Sequence, residues 1–341
     1  MTATKSDVLT AAPAATSGPA APSRLVSFIT KAPPWTGVGV LIALIVVFMG
    51  VTDDFFLTYN NINNILRGGA VPLLLAAGTT FVITTGMIDL SLASLLALSS
   101  MTMLGFMNLG LPSILCVLLT IVVGALLGGV VNGALIAKAG LFFMVVTLGS
   151  SAIFRAAAQI PTEGKSITLY NREGFDTIAW LGDGKVGGVS VPVVVAFAVV
   201  VLSALVMKYT NFGRSVNAVG GNEAAARLAG IPVDRVRIAV FAINGALVAL
   251  AGVLMSGRLS SASPSFGTGM ELNVIAAVLL GGSSFMGGSS TFMGTTIGIM
   301  FTQVLQNALT LKNVNSFWQG IVTGVVLIAA VAIDRLRAKK A

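Results

Sequence analysis

PSILCVLLTIVVGALLGGVVNGALIA, residues 112–137, runs for 26 residues without one charged side chain. A bilayer core about 30 Å thick is crossed by about 20 helical residues, so a run of this kind is long enough to span it. Cys116 inside it is the only cysteine of the chain, which excludes an internal disulfide and a thiolate metal cluster. Glycines recur four apart at Gly124/Gly128 and Gly129/Gly133, and again at Gly294/Gly298 and Gly320/Gly324. Small residues at this spacing let helix backbones approach where lipid offers no hydrophobic drive between helices. The stretch therefore predicts an all-α fold: a polytopic transmembrane helix bundle.

The rest of the chain repeats the pattern. Of 341 residues, 55% are hydrophobic and 9% are charged, against about 25% charged in a soluble domain. Ten apolar runs come near the length of a crossing, at about 36–52, 62–86, 90–109, 112–137, 141–159, 189–208, 237–256, 270–281, 288–311 and 316–333. The eighth is short and ends in Gly281-Gly282-Ser283-Ser284, so a re-entrant helix over 270–290 and an eight-span count remain open. Residues 1–35, rich in Ala, Pro, Ser and Thr, read as a flexible cytoplasmic tail, 36–336 as the transmembrane domain, and 337–341 as a basic cytoplasmic tail. There is no histidine, hence no imidazole base or ligand, and no convergent acid–base set that would make the chain an enzyme.

Charge supports ten spans with both termini in the cytoplasm. The inner segments then hold 13 basic and 5 acidic residues, and the outer ones 7 of each, so the whole net charge of +8 lies inside. Nothing is left over that calls for nucleic acid. Two long polar segments result, 160–188 outside and 209–236 inside. The halves also echo each other. Asn132-Gly-Ala-Leu-Ile-Ala-Lys138 ends the fourth run and Asn307-Ala-Leu-Thr-Leu-Lys312 the ninth, five spans later and so in the opposite sense. Each half has one polar break, at Thr84–Ser91 and at Gly281–Ser290. Paired interruptions point to a transport site between inverted repeat halves, with chance and ordinary glycine packing as the alternative.

In the inner segment, Asn222 suits a helix N-cap and Glu223 the positive end of a helix dipole. Glu223 and Arg227 are spaced i, i+4. Gly230 suits the C′ position, and Pro232 blocks continuation. A helix of about seven residues is expected there, too short to stand alone. Its Ala224-Ala225-Ala226 stretch offers a smooth face to a partner. Asp89, if at membrane depth, is a functional candidate by default; as a cap or first-turn residue of the third span it is structural, and residue type favours the latter. Gly164-Lys165-Ser166 is no phosphate loop, because Gln159 stands where the first glycine belongs.

The inner segment resembles the coupling segment of ATP-binding-cassette importer permeases of the ribose-type sugar branch. The likeness rests on Phe212-Gly213-Arg214, Ala218, Gly220-Gly221-Asn222, Ala225-Ala226-Arg227-Leu228 and Gly230-Ile231. It extends through Gly86, Ile88-Asp89-Leu90-Ser91 and Ser94, Val146-Thr147-Leu148-Gly149, and Glu271 through Gly282. Gly287-Gly288, Gly294-Thr295 and Ser316-Phe317-Trp318-Gln319 also fit. Met87, Ala93, Phe142-Phe143 and Ser289-Ser290-Thr291 depart from it. The resemblance implies a multi-pass inner-membrane permease that binds no cofactor, with ATP and magnesium held by a separate ATPase. It implies a sugar-binding protein outside, a second permease copy or homologue, and a monosaccharide, a pentose or hexose, as cargo. The ATPase-coupling residues would be Gly221, Asn222, Glu223, Ala224, Ala225, Ala226, Arg227, Leu228, Ala229 and Gly230. Candidates for the substrate path are Asp89, Asn132, Phe142, Phe143, Gln303 and Asn307. The competing reading is an ion-coupled secondary transporter using Asp89.

Overall fold

A computed structural model describes residues 35–315, 317–322 and 324–325. The tail expected before Trp35, the basic tail at 337–341 and most of the tenth run lie outside the described residues. The described residues include the helices α1 (Trp35–Thr52), α2 (Tyr59–Thr84), α3 (Leu92–Asn108), α4 (Ser113–Ala137), α5 (Phe143–Thr162), α6 (Phe175–Asp183), α7 (Val191–Tyr209), α8 (Asn211–Gly221), α9 (Glu223–Leu228), α10 (Val233–Leu259), α11 (Met270–Leu280) and α12 (Phe292–Leu311). Six of them, α1, α2, α4, α5, α7 and α10, are long and apolar enough to cross a membrane; α3 and α11 are apolar but shorter.

Among the described residues, four two-residue strands pair at the loops. β1 (Ile167–Thr168) is antiparallel to β4 (Ser261–Ala262), with Ile167 opposite Ala262. β2 (Lys185–Val186) is antiparallel to β3 (Val189–Ser190).

The core sits around α10, which packs on α2, α3, α4 and α6. Glycine makes the approach to α4 close. A methyl group on Gly124 or Gly128 would collide with Gly245 or Phe241, and one on Gly133 would lie 2.9 Å from the Ile238 Cα. Leu127–Gly133 widens into π-helical turns along this seam, a local form that often accompanies function. Gly294 and Gly298 of α12 meet Gly281 and Ala277 of α11 in the same way. At Gly320 and Gly324 no neighbour among the described residues lies within contact distance of an added methyl.

One end of the bundle is tied by its loops. The Tyr59 hydroxyl donates to the Gly188 carbonyl (2.9 Å), Lys312 Nζ to the Thr52 carbonyl (2.9 Å), and Arg258 to the Arg67 carbonyl (3.0 Å). Arg67 pairs with Asp183. The polar segment 160–188 holds α6, whose Phe175, Ile178 and Gly182 are buried. The opposite end carries α8, α9 and the two polar breaks.

Candidate functional site

The polar segment 209–236 folds as two helices, not one. α9 is the expected short helix, bounded by its own chemistry. Asn222 Oδ1 accepts from the Ala225 amide at 3.0 Å. At the far end the Gly230 amide donates to the Arg227 carbonyl and the Ile231 amide to the Ala226 carbonyl, both at 3.0 Å, with Gly230 at φ 79°. This is the Schellman arrangement, which favours glycine at the left-handed position. Glu223 accepts from Arg227 at 3.1 Å and from Arg237 of α10 at 2.5 Å, and Arg227 also donates to Asp234 at 2.7 Å. Partial burial would raise the Glu223 carboxyl, but hydrogen bonds and charge from Arg237 and then Arg227 outweigh it and hold it below the usual glutamate value. Ala226 is buried, whereas Ala224, Ala225 and Ala229 are exposed and Leu228 is 91% exposed. A polytopic protein thus presents a bare leucine on a braced helical turn.

α8 was not foreseen as a helix. It packs inward through Val216 and Val219, and Phe212 meets Phe81 of α2, which meets Phe292 of α12 edge-on (centroids 6.3 and 5.2 Å). Its last turn reaches the breaks that interrupt both halves of the sequence. Gly220 lies so close to the Thr84 carbonyl that a methyl group there would collide with it. The same carbonyl accepts from the Gly288 amide at 2.9 Å. Thr84 Oγ1 and Ser290 Oγ share a hydrogen bond of 2.5 Å. An added methyl on Gly287 would fall 2.7 Å from the Gly86 nitrogen and 2.9 Å from the Gly220 carbonyl oxygen. Two breaks and the segment leading into α9 therefore share one vertex.

Asp89 is neither cap nor first-turn residue: α3 starts at Leu92, and Ser91 is its N-cap residue without a side-chain cap bond. The physical reason is an alternative partner. Asp89 Oδ1 accepts from the Ser91 amide (2.8 Å) and hydroxyl (2.6 Å), closing a local turn before the helix. Oδ2 accepts from Asn244 of α10 at 2.8 Å. Asn132 of α4 donates to the Ser91 hydroxyl at 2.8 Å. All four side chains are fully buried. The network stitches the break to α4 and α10. Asn244 was missed from sequence, although a lone amide in the run 237–256 was the available signal.

The other path candidates separate. Asn307 exchanges amide hydrogen bonds with Asn61 of α2 at 2.8 and 3.0 Å, which makes it a tie between helices. Phe142 is exposed at the start of α5 and its ring contacts Phe143 at 4.8 Å. Gln303 lies against Gly68 of α2, at the wall of a cavity. The structure thus joins Asp89 with Asn132 and leaves Phe142–Phe143, Asn307 and Gln303 at separate places.

Comparison with known proteins gives a consistent result. The family model for the branched-chain amino acid transport system / permease component matches residues 61–331. The chain is 39% identical over 294 residues to the ribose import permease protein RbsC of Haemophilus influenzae, covering 86% of this chain and 90% of that one. It is 34% identical to the D-allose transport system permease protein AlsC of Escherichia coli, covering 88% and 91%. It is 33% identical to the L-arabinose transport system permease protein AraH of the same organism, covering 95% and 97%. No solved structure matches the chain.

Proposed function

The chain belongs to the family of branched-chain amino acid transport system permease components, in its ribose-type ATP-binding-cassette branch, and on that premise we propose that it carries a pentose or hexose inward across the bacterial inner membrane. In this reading the chain is a transport subunit without catalytic residues. ATP is hydrolysed on a separate subunit, which grips α9 around Leu228. A sugar-binding protein delivers cargo at the opposite end, and a second permease copy or homologue completes the pathway. The chain crosses the membrane about ten times as two inverted halves, with both termini cytoplasmic.

Charge supports that orientation among the described residues. Lys138, Lys208, Arg214, Arg227, Arg235 and Arg237 lie at the α9 end or its flanks, against Asp89, Glu223 and Asp234; the segments assigned outside hold seven basic and seven acidic residues.

The observation that carries the proposal is the shared vertex of Gly220, Thr84 and Gly288. A partner that moves α9 acts through Gly221 and Asn222 on both breaks, the kind of element that alternating access requires. An ion-coupled mechanism at Asp89 has less support, because the carboxylate is fully enclosed and takes every one of its described bonds from donors.

The test is co-purification and reconstitution. The chain expressed with its ATPase should retain that ATPase, and proteoliposomes should take up D-ribose, D-allose or L-arabinose only with ATP and binding protein. Full uptake by the chain alone under an ion gradient, without ATP, would overturn the proposal.

A further inference from the structure

We infer that the cavity where α2, α10, α11 and α12 meet is a binding subsite for a neutral polyhydroxylated ligand of monosaccharide size. The inference rests on the transport reading above and assigns residues to it. The cavity has a volume of about 340 Å³ and is walled in part by Gly68, Pro72, Met255, Met270, Gln303 and Gln306. A second space of about 100 Å³ shares Pro72, Met270, Gln303 and Gln306 and adds Asn273 and Thr302. The larger one falls within the roughly 300–1,000 Å³ usual for small-molecule sites.

Three primary amides converge here, from Asn273, Gln303 and Gln306. None of their side chains has a hydrogen-bond partner among the described residues. Asn307, on the same helix as Gln303, shows the contrast, since it is fully engaged with Asn61. An amide left without a partner in an apolar medium is costly. This face therefore serves water or a polar ligand, not lipid tails. Pro72 adds a backbone acceptor. It lies inside α2, and having no N–H it gives nothing to the carbonyl four residues back, that of Gly68, which lines the same cavity.

The chemistry selects the ligand class. Amides offer donors and acceptors together, as hydroxyl groups do. Val71, Pro72, Met255 and Met270 supply apolar wall for C–H faces. No carboxylate lines either space, which disfavours a cation. The one cation at the rim, Arg258, gives a guanidinium hydrogen to the Arg67 carbonyl.

The test uses the single-cysteine background. In Cys116→Ser, a Gln306→Cys change places one thiol in the cavity of the complex reconstituted with its ATPase. Maleimide labelling of that thiol is timed with and without D-ribose, D-allose, L-arabinose or D-ribose 5-phosphate. Slowing of about tenfold by at least one neutral sugar, and less by the phosphate, is the expected result. No protection by any neutral sugar, or stronger protection by the phosphate, overturns the inference. Gln303→Leu is read in parallel and should cut sugar uptake about tenfold; unchanged uptake counts against the subsite. If the unmodified complex, supplied with ATP and binding protein, takes up none of the three sugars, the transport reading fails, and labelling protection still decides whether the cavity holds a sugar.

Discussion

The Gly288 amide donates to the Thr84 carbonyl at 2.9 Å, and Gly220 closes on the same oxygen with no room for a side chain. Gly220→Ala should force α8 off this carbonyl. Overpacking of this kind costs about 1–3 kcal/mol. In the reconstituted complex, ATP hydrolysis should persist while sugar uptake falls by about fivefold to a hundredfold, since each 1.4 kcal/mol is a factor of ten. Parallel measurement of the two rates checks it, and equal loss of both would refute a coupling role.

Asp89→Asn removes a charge but keeps the shape. A carbonyl oxygen remains to accept, while the new NH₂ faces the Asn244 amide or the Ser91 donors. The expected cost is about 1–3 kcal/mol of stability, read as a lower melting temperature in detergent. The pH profile of uptake should keep its shape. A flattened profile would make Asp89 a proton carrier.

The ion cluster at α9 has a defined pH window. Glu223 is held below the ordinary glutamate value of 4.5. Its folded pKa is depressed, so its contribution is present above the unfolded pKa and is lost as pH falls through the folded one. Amide exchange of residues 223–231, corrected for intrinsic rates, should be flat from pH 8 to 5 and rise only below 4.5. Glu223→Gln should show raised exchange at neutral pH.

The α4–α10 seam depends on absent side chains. Gly128→Leu or Gly245→Leu should part the helices, because a methyl at either position already meets backbone. Loss of about 3 kcal/mol or more is expected, the upper end of overpacking. Gly320→Leu, with no neighbour among the described residues within reach of an added methyl, is the control and should leave thermal unfolding unchanged. Fluorescence-detected melting of the detergent-solubilised protein separates the two cases.

Much of this was readable from residues alone. Apolar runs of crossing length mark α1 to α5, α7 and α10 because hydropathy is a local property. Asn222, Glu223, Arg227 and Gly230 announce α9 because caps and i, i+4 pairs act within one or two turns. α8 was hidden because Gly213, Gly220 and Gly221 suppress helix propensity. It forms because Phe212, Val216 and Val219 find partners that only the assembled bundle supplies. Asp89 was misread for a similar reason. Its residue type fits a cap, and the competing Asn244 lies 155 residues away. The amides divide likewise: Asn307 and Gln303 look alike in sequence, and only the helix opposite decides that one is tied and the other free.

The bracing of α9 also bears on kinetics. Its cap, its closing turn and its three ion pairs are complete without any partner. A subunit that docks there meets a finished surface with Leu228 already presented, so no ordering entropy of the segment is charged against association. Encounter should then be limited by diffusion and orientation, hastened by the surplus positive charge at that end and slowed by salt. Once seated, the partner's residence time would depend chiefly on how well it encloses a single leucine.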